Sequence, residues 1–276
     1  MKAFLPLVVS CVMGVVPAMA GSKSAALLHV FGELPADGLL QTPCLPTPNT
    51  ALTADDTEGF AARTRTNETY GMPGWTRGQG GHFHKGVDIL PVHFEKTDDT
   101  VRIEYYDPKT GRDFAKNETV LVPKDEIYTI LDGKVVMANR DESRSGYGRY
   151  IMVEHHFADG SPFISMYAHL DRLEVGEGDT VQRGQRIGWM GRTSSNSGGR
   201  SYLKAIPHCH FEVGRVINND FGGTAEAKSL YPRVLGGKYD PRNIQPYQPV
   251  KFLRGYHAQT GTMVTVSRAT PGLRAN

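Results

Sequence analysis

Three short segments of the chain hold histidines at spacings suited to binding a metal ion. They are His84-Lys85-Gly86-Val87-Asp88, Tyr167-Ala168-His169-Leu170 and Pro207-His208-Cys209-His210-Phe211-Glu212-Val213. Imidazole nitrogens and carboxylate oxygens are typical Zn²⁺ ligands, and three protein ligands with a fourth position for water are the pattern of a catalytic zinc site. The residue types therefore favour metal-assisted hydrolysis.

The third segment is predicted to be a β-strand, because the residues around its histidines are β-formers. A strand sends alternate side chains to opposite faces, so His208 and His210 point the same way. Cys209 points the other way and is interpreted as a small core residue rather than a ligand. Glu212 shares the face of the histidines, either as a partner that orients an imidazole or as an exposed carboxylate. Spacing alone allows either histidine to hold the metal.

In the first segment, a spacing of four residues places His84 and Asp88 on one face whether the chain is extended or helical. Gly86 permits a bend between them. Each motif is weak alone, since a single His-x-His pair can be two surface histidines. His169 by itself would more often be a packed side chain than a catalyst. The predicted site depends on all three segments occurring in one small β-rich region.

From Gly86 onward, short β-branched and aromatic runs alternate with turn residues, which predicts a mainly β fold built as a compact antiparallel sheet. Turns at Asp132-Gly133 and Asp159-Gly160 separate such runs. Helical periodicity is weak throughout, with one modest suggestion over residues 51–63. The predicted strands cover residues 100–106, 127–136, 150–155, 163–168, 180–181, 186–189 and 208–213.

The first twenty residues have the pattern of a signal peptide. Lys2 precedes an apolar run that ends at Pro17, and Ala18-Met19-Ala20 supplies the small-x-small pattern before Gly21. An alternative reading places a lipoprotein cleavage site before Cys11. Removal of the leader leaves Cys44 and Cys209, which are not predicted to form a disulfide with each other.

Composition divides the chain into four predicted regions. They are a signal peptide over residues 1–20, a loop-rich wrapping segment over 21–80, a β-rich domain over 81–250 with an insertion near 91–124, and a C-terminal tail over 251–276. Both extensions are expected to be rich in loops.

The charge balance says little about partners. Lys and Arg number 31 against 29 Asp and Glu, which leaves a formal charge of +2 without a block of one sign. This pattern offers no stripe for nucleic acid and no polybasic tether for a membrane. We therefore expect no nucleic-acid partner, no stable membrane insertion after leader removal, and a monomer.

The three histidine segments, in this order, resemble those of the lysostaphin-like or LytM-type zinc endopeptidases, which cut peptide bonds in bacterial cell-wall peptidoglycan. The resemblance covers residues 81–213 and includes motifs between the histidine segments. These motifs are Leu131-Asp132-Gly133-Lys134-Val135-Val136, Gly146-Tyr147-Gly148, Ile151-Met152-Val153-Glu154-His155, Val175-Gly176-Glu177-Gly178-Asp179-Thr180-Val181 and Gly184-Gln185-Arg186-Ile187-Gly188.

The resemblance implies a lysostaphin-like duplicated hybrid motif over residues 81–250. It further implies one Zn²⁺ ion held by His84, Asp88 and His210, with His169 and His208 as the catalytic pair that handles the water and the scissile peptide. The implied protein is an exported endopeptidase of the periplasm, cell envelope or extracellular space, acting on peptidoglycan stem peptides or crosslinks. The insertion is longer than the run usual in this family and is expected to border the substrate groove.

Two other functions compete with the enzyme. One is a non-catalytic or autoinhibited regulator of the same fold that binds peptidoglycan, although degenerate relatives usually lack a ligand and all five positions are filled here. The other is a carrier domain, because the turn over residues 175–185 also resembles those of lipoyl-type and phosphotransfer β-domains. The leader and the complete zinc set disfavour the carrier.

Overall fold

The structure is a computed structural model that describes residues 29–35, 38–54, 56–62, 71–77, 82–107, 110, 112–195, 207–217 and 238–260. The predicted signal peptide lies outside these residues. The strands within them are β1 (Gly74–Arg77), β2 (His82–His84), β3 (Val87–Ile89), β4 (Phe94–Asp107), β5 (Arg112–Pro123), β6 (Glu126–Tyr128), β7 (Gly133–Asn139), β8 (Arg149–His156), β9 (Pro162–Leu173), β10 (Thr180–Val181), β11 (Arg186–Met190), β12 (Cys209–Val216) and β13 (Ile244–Pro246).

One nine-stranded antiparallel sheet forms the body of the molecule, which confirms the predicted mainly β, antiparallel fold. Its first four strands lie in the order β10, β7, β8 and β9. The edge of β9 that faces away from β8 pairs with β12 along one part and with β11 along another. Strand β6 pairs with β11 at one end of the sheet. The far edge of β12 is shared by β3 and β13. Strand β12, which contains His210 and begins directly after His208, therefore has β9 on one side and β3 and β13 on the other.

The predicted strand over residues 127–136 is wrong in one respect, because the chain breaks there into β6 and β7. These two strands pair at opposite ends of the sheet, β6 with β11 and β7 with β8. The residues between them cross from one end to the other. Thr129 pairs instead with the turn after β10, accepting a hydrogen bond from the Gly184 amide at 2.9 Å. The predicted strand over residues 127–136 therefore corresponds to two strands on either side of the Asp132-Gly133 turn.

The N-terminal segment packs onto the sheet. The Cys44 amide donates to the Ile130 carbonyl, and the Tyr128 amide donates to the Pro46 carbonyl, both at 2.9 Å. Leu52 and Phe60 are fully buried in the main core. Two short helical turns occur here, a 3₁₀ turn over Thr50–Leu52 and helix α1 over Thr57–Phe60. The helical suggestion for residues 51–63 corresponds to these two turns.

The expectation of a loop-rich tail from residue 251 is wrong for residues 251–260, which continue helix α2 (Pro249–Thr260). Phe252, Leu253 and Tyr256 of this helix enter the main core. With Pro249 they form an i, i+3, i+4, i+7 stripe, and proline at the first helical position is favourable. The helix signal was therefore present in the sequence. Among the described residues, no helix is both long and apolar enough to cross a membrane.

Strands β4 and β5 form a separate two-stranded ribbon within the predicted insertion. They pair from Phe94↔Pro123 at the base to Asp107↔Arg112 at the far end. The buried Asp125 carboxylate fixes the base by accepting hydrogen bonds from the Val92 amide at 2.7 Å and the His93 amide at 3.0 Å. The four-region division itself stays a prediction.

Candidate metal centre

Two paired strands bring together the first and third histidine segments. In the register of β12 with β3, His210 lies directly opposite Asp88. The backbone of Asp88 is fixed on its other side as well, because its amide donates to the Gly71 carbonyl and its carbonyl accepts from the Ala62 amide, both at 2.8 Å. Asp88 is completely buried. The sheet and the N-terminal segment therefore hold this carboxylate on both sides.

Three donor atoms converge in this buried position. Asp88 Oδ1 lies 2.8 Å from His210 Nδ1 and 3.2 Å from His84 Nε2, and the two histidine nitrogens are 3.1 Å apart. Ligands about 2.1 Å from a tetrahedral Zn²⁺ would lie about 3.4 Å from one another. The spacing and the N, N, O donor set both fit a zinc ion.

The outer nitrogens of both imidazoles donate hydrogen bonds that determine which nitrogen faces the centre. His84 Nδ1 donates to the Met72 carbonyl at 2.8 Å, so its Nε2 faces Asp88. His210 Nε2 donates to Glu212 Oε1 at 2.8 Å, so its Nδ1 faces the same carboxylate. Such outer partners are typical of metal-binding histidines.

Glu212 is buried rather than exposed, which resolves the alternative left open by strand alternation. Its carboxylate accepts from the Tyr147 hydroxyl at 3.0 Å as well as from His210. Burial alone would raise the pKa of Glu212, but Lys85 and these two hydrogen bonds lower it to about 2. Glu212 is therefore a buried anion beneath the three donor atoms.

The surroundings of His210 favour positive charge. Burial lowers the pKa of His210, but the hydrogen bonds and charges of Asp88 and Glu212 outweigh burial, and the net pKa rises to about 9. Two buried carboxylates therefore flank one imidazole. A cation bound by the donor atoms would be stabilised by the same pair of charges.

A β-bulge in β9 directs His169 into the site. On the β8 side, the pairing moves from Tyr167↔Ile151 to Leu170↔Arg149, which leaves one extra residue on β9. His169 adopts a φ of +60°, a left-handed conformation that costs a non-glycine residue about 1–2 kcal/mol. Its Nδ1 donates to the Thr193 carbonyl at 2.8 Å, which assigns the lone pair to Nε2. The bulge therefore directs the ring into the site, and the Thr193 hydrogen bond fixes its tautomer.

His208 completes the group of buried histidines. Its Nε2 lies 3.7 Å from Asp88 Oδ1, farther than the 2.8 Å separation of His210 Nδ1 from the same oxygen. The rings of His169 and His208 meet edge to face with centroids 4.9 Å apart. Burial, and then the neighbouring His208 and His210, lower the pKa of His169 well below its usual value. A neutral imidazole therefore stands beside the donor atoms.

All five predicted site residues meet at this centre, but the residues that support them were not assigned from sequence. Tyr147 binds Glu212, Thr193 binds His169, and Met72 binds His84 through its carbonyl. Tyr147 had a sequence signal, because it stands between two glycines in a motif of the family resemblance. Backbone acceptors such as Met72 have no side-chain signal.

The remaining histidines and cysteines that the structure describes have other environments. Cys209 is in the main core, as alternation predicted, and its thiol and that of Cys44 are both free. His93 binds Asp125 at the base of the ribbon, and His155 is buried in a separate polar network. The side chain of His82 lies outside the described residues.

Residues 108–221 match the family model described as Peptidase family M23. This range contains His169, His208 and His210, whereas His84 and Asp88 precede it. The ribbon of β4 and β5 separates the two parts of the site along the chain, and the fold brings them together. The match therefore covers three of the five residues.

Several known proteins share this region. "Peptidoglycan DD-endopeptidase ShyA" of Vibrio cholerae is 34% identical over 114 residues, which are 40% of this chain and 22% of ShyA. "Murein hydrolase activator NlpD" of Escherichia coli is 33% identical over 95 residues, 33% of this chain and 21% of NlpD. The chain thus spans about a fifth of the length of these curated relatives.

Among solved structures, the catalytic domain of lysostaphin from Staphylococcus simulans aligns with 58% of this chain and 84% of its own length. It does so at 24% sequence identity and a TM-score of 0.33. The sequence matches and the antiparallel sheet agree with the resemblance of the histidine segments. Residues 108–221 are therefore similar to peptidase family M23, in agreement with the lysostaphin-like (LytM-type) resemblance of the histidine segments.

Proposed function

We propose that this chain is an exported zinc metalloendopeptidase that hydrolyses peptide bonds in peptidoglycan stem peptides or crosslinks. The observation that carries the proposal is the convergence of His84 Nε2, Asp88 Oδ1 and His210 Nδ1 within 3.2 Å of one another, beside two further buried histidines. The similarity to ShyA, a peptidoglycan DD-endopeptidase, supports the substrate class. The leader pattern of residues 1–20 supports export.

In the proposed site, His84, Asp88 and His210 would hold one Zn²⁺ ion. Bound there, the ion would act as a Lewis acid that lowers the pKa of water and polarises the scissile carbonyl. His169 keeps its proton on Nδ1, bound to Thr193, so its Nε2 can accept a proton from the attacking water. His208 can donate an N–H to the carbonyl oxygen as negative charge develops there.

The buried anion Glu212 fixes the direction of His210, and the strained backbone at residue 169 fixes that of the base. Their positions therefore do not depend on substrate binding. Preorganisation of this kind lowers the cost of reaching the transition state.

A second candidate is a peptidoglycan-binding regulator without catalysis, or one whose site is blocked by another part of the chain. It is favoured by the similarity to NlpD, which is named a murein hydrolase activator. The presence of all five site residues favours the enzyme. A regulator would bind peptidoglycan and stimulate an added hydrolase without releasing peptides itself.

The test combines zinc content with muropeptide release from purified peptidoglycan. Wild type is expected to bind about one equivalent of zinc and cleave, and His210→Ala is expected to lose both. His169→Asn is expected to keep zinc but lose turnover, because asparagine tolerates positive φ and lacks the imidazole base. His156→Ala changes an exposed histidine and is the control. A wild type without zinc and without release would refute the proposal.

A further inference from the structure

A cleft shares part of its wall with the candidate metal centre. Thr193 lines the cleft, and its carbonyl accepts the hydrogen bond of His169 Nδ1. Arg172 is on the wall of the same cleft and follows His169 by three residues on β9. A strand rises about 3.3 Å per residue, so Arg172 lies about 10 Å from His169 along the strand.

Arg172 is held against the face of an indole. Arg172 and Trp189 are directly opposite each other in the register of β9 with β11, so their side chains share one face of the sheet. The Arg172 Cζ atom lies 4.3 Å from the centre of the Trp189 ring, which is a cation–π contact. Trp189 is itself fixed, because its Nε1 donates to Glu174 Oε1 at 2.6 Å. The guanidinium therefore has a defined position, although 58% of its side chain is exposed.

A second arginine on the same indole shows what Arg172 lacks. Arg186 Cζ is 5.1 Å from the centre of the Trp189 ring, and its guanidinium donates to Glu174 and to a second carboxylate, both at 2.7 Å. Among the described residues, the carboxylate nearest to the Arg172 guanidinium is that of Asp171, at 3.8 Å. This distance is too long for a hydrogen bond. The planar N–H donors of Arg172 are therefore available to a ligand.

The other charges on the wall favour an acidic ligand. Three further cations and two anions line the cleft. Lys124 pairs with Glu95 at 2.9 Å, and the guanidinium groups of Arg149 and Arg192 donate to backbone carbonyls. Arg172 is thus the wall cation whose donors are least engaged by the protein. A carboxylate fits a guanidinium well, since two parallel N–H···O bonds can form.

We propose that Arg172, stacked on Trp189, binds a carboxylate of an extended peptide that runs from the metal centre into this cleft. The inference rests on the proposed endopeptidase function and adds a preference to it. An extended peptide rises about 3.3 Å per residue, as β9 does, so the preferred acidic residue lies about three positions from the scissile bond. A neutral residue at that position loses the ion pair with Arg172.

The first experiment measures cleavage of capped peptides in which a single glutamate is moved along an otherwise neutral sequence, each paired with its glutamine counterpart. Wild type is expected to have a kcat/KM about fivefold higher for the glutamate peptide at the preferred position, the upper range for an exposed ion pair. Arg172→Met should remove this preference, and Arg172→Lys should restore only part of it, because lysine lacks the planar fork. Arg144→Met is the control, since Arg144 is exposed but is not on the wall of the cleft, and it should keep the preference.

The second experiment measures binding without turnover, so that it does not depend on the proposed zinc site. The chain has two tryptophans, Trp75 and Trp189, and Trp75→Phe leaves Trp189 as the sole fluorescent reporter at the cleft. In excess chelator, the glutamate peptide should change the Trp189 fluorescence and bind about fivefold more tightly than the glutamine peptide. When Arg172→Met is added to Trp75→Phe, the two peptides should bind equally.

Equal binding of the two peptides by the Trp75→Phe protein would overturn the inference. A glutamate preference that survives Arg172→Met, or that disappears equally in Arg144→Met, would overturn it as well. The two experiments also separate this inference from the proposed function. A glutamate preference in binding without any cleavage would refute the proposed enzyme and support the carboxylate site, whereas cleavage without a glutamate preference would do the opposite.

Discussion

The imidazole rings of the candidate metal centre are oriented by hydrogen bonds from their outer nitrogens. His84, His169 and His210 each donate from the nitrogen that faces away from the site. Two of the three acceptors are backbone carbonyls, which cannot be lost by substitution of their own side chains. A single substitution should therefore disturb the site most where it displaces a ring directly.

Gly86 is such a position. A Cβ at residue 86 would lie 2.7 Å from both Cε1 and Nε2 of His210 and 2.6 Å from the Phe211 carbonyl oxygen. The carbonyl belongs to a strand paired on both sides and has little room to move. We expect Gly86→Ala to weaken zinc binding at least tenfold and to lower the unfolding free energy by about 1–3 kcal/mol, the usual cost of overpacking.

Zinc competition and denaturant unfolding check this expectation. Gly146→Ala is the matched control, because a Cβ there meets no atom within 4 Å and the residue lies in the loop beside Tyr147. It should resemble wild type in both measurements. Equal zinc affinity for the two variants would argue against the close approach at residue 86.

At the residue scale, the sequence was a good predictor of which side chains come together. It was a poorer predictor of the role of each one. Alternation placed His208 and His210 together and Cys209 in the core, and the structure agrees with both placements. It left open which histidine lies nearer Asp88, because that depends on the pairing of β12 with β3. Cross-strand register is a long-range property that spacing within one segment does not contain.

At the scale of elements, β9 changes its pairing partner at one bulge. Before His169 it pairs with β12, and after it with β11. An extra residue at this change of partner turns the histidine toward the site. The sequence suggested an ordinary aromatic strand here, since a bulge that needs positive φ usually carries glycine or asparagine.

The ribbon of β4 and β5 contributes its base to the cleft that Thr193 also lines. The cleft has a volume of about 540 Å³, and Lys124 and Thr193 are on its wall. Thr193 is also the residue whose carbonyl binds His169. The base of the ribbon thus lines a cleft that shares Thr193 with the site, and its identity as the substrate groove stays a prediction.

Lys124 provides a test of that expectation. The charged residues on the cleft wall are Lys124, Arg149, Arg172, Arg192, Glu142 and Asp171, four cations and two anions. We expect Lys124→Glu to reduce kcat/KM for acidic peptides severalfold relative to neutral ones, because an exposed charge contributes about 0.2–1 kcal/mol. Zinc content should not change.

Cleavage of matched acidic and neutral peptides, at low and at high salt, measures this preference. Lys116→Glu is the control, since Lys116 is also an exposed, ion-paired lysine on the ribbon but is not on the wall of the cleft. The effect of Lys124→Glu should shrink at high salt. If both variants shifted the preference equally, the cleft would not be the reason.

At the scale of the whole molecule, the N-terminal segment and helix α2 both pack into the core of the sheet. Phe60 from the N-terminal segment and Phe252 from α2 are fully buried in the core cluster that contains Phe211 of β12. Local periodicity predicted the strands of the sheet, but it did not predict these extensions as core. The apolar stripe of α2 and the scattered apolar residues of the N-terminal segment become one surface only after folding.

A separate buried polar network joins strands β8 and β9. His155 Nδ1 donates to the Asp132 carbonyl at 2.8 Å, and its Nε2 lies 2.7 Å from Ser165 Oγ. The Ser165 and Tyr167 hydroxyls hydrogen-bond each other at 2.9 Å, and Tyr167 also accepts from the Ile130 amide. His155, Ser165 and Tyr167 are buried, so a charge introduced on the imidazole has little access to water.

This network predicts a pH dependence of stability. Burial lowers the pKa of His155 from 6.5 to about 4. Between these values the unfolded chain binds a proton that the folded chain does not, so the unfolding free energy must fall as pH decreases from about 6.5 through 4. The difference corresponds to about 3 kcal/mol. Below pH 4 this contribution levels off, because both states are then protonated.

Denaturant unfolding at several pH values, in chelator so that metal release does not contribute, measures this dependence. His155→Asn is expected to be less stable at pH 7, because it leaves a cavity, yet to lose about 3 kcal/mol less than wild type between pH 6.5 and 4. His156→Asn changes the exposed neighbouring histidine and should keep the wild-type slope. Parallel pH profiles for wild type and His155→Asn would mean that another buried group controls acid stability, and would remove His155 from that role.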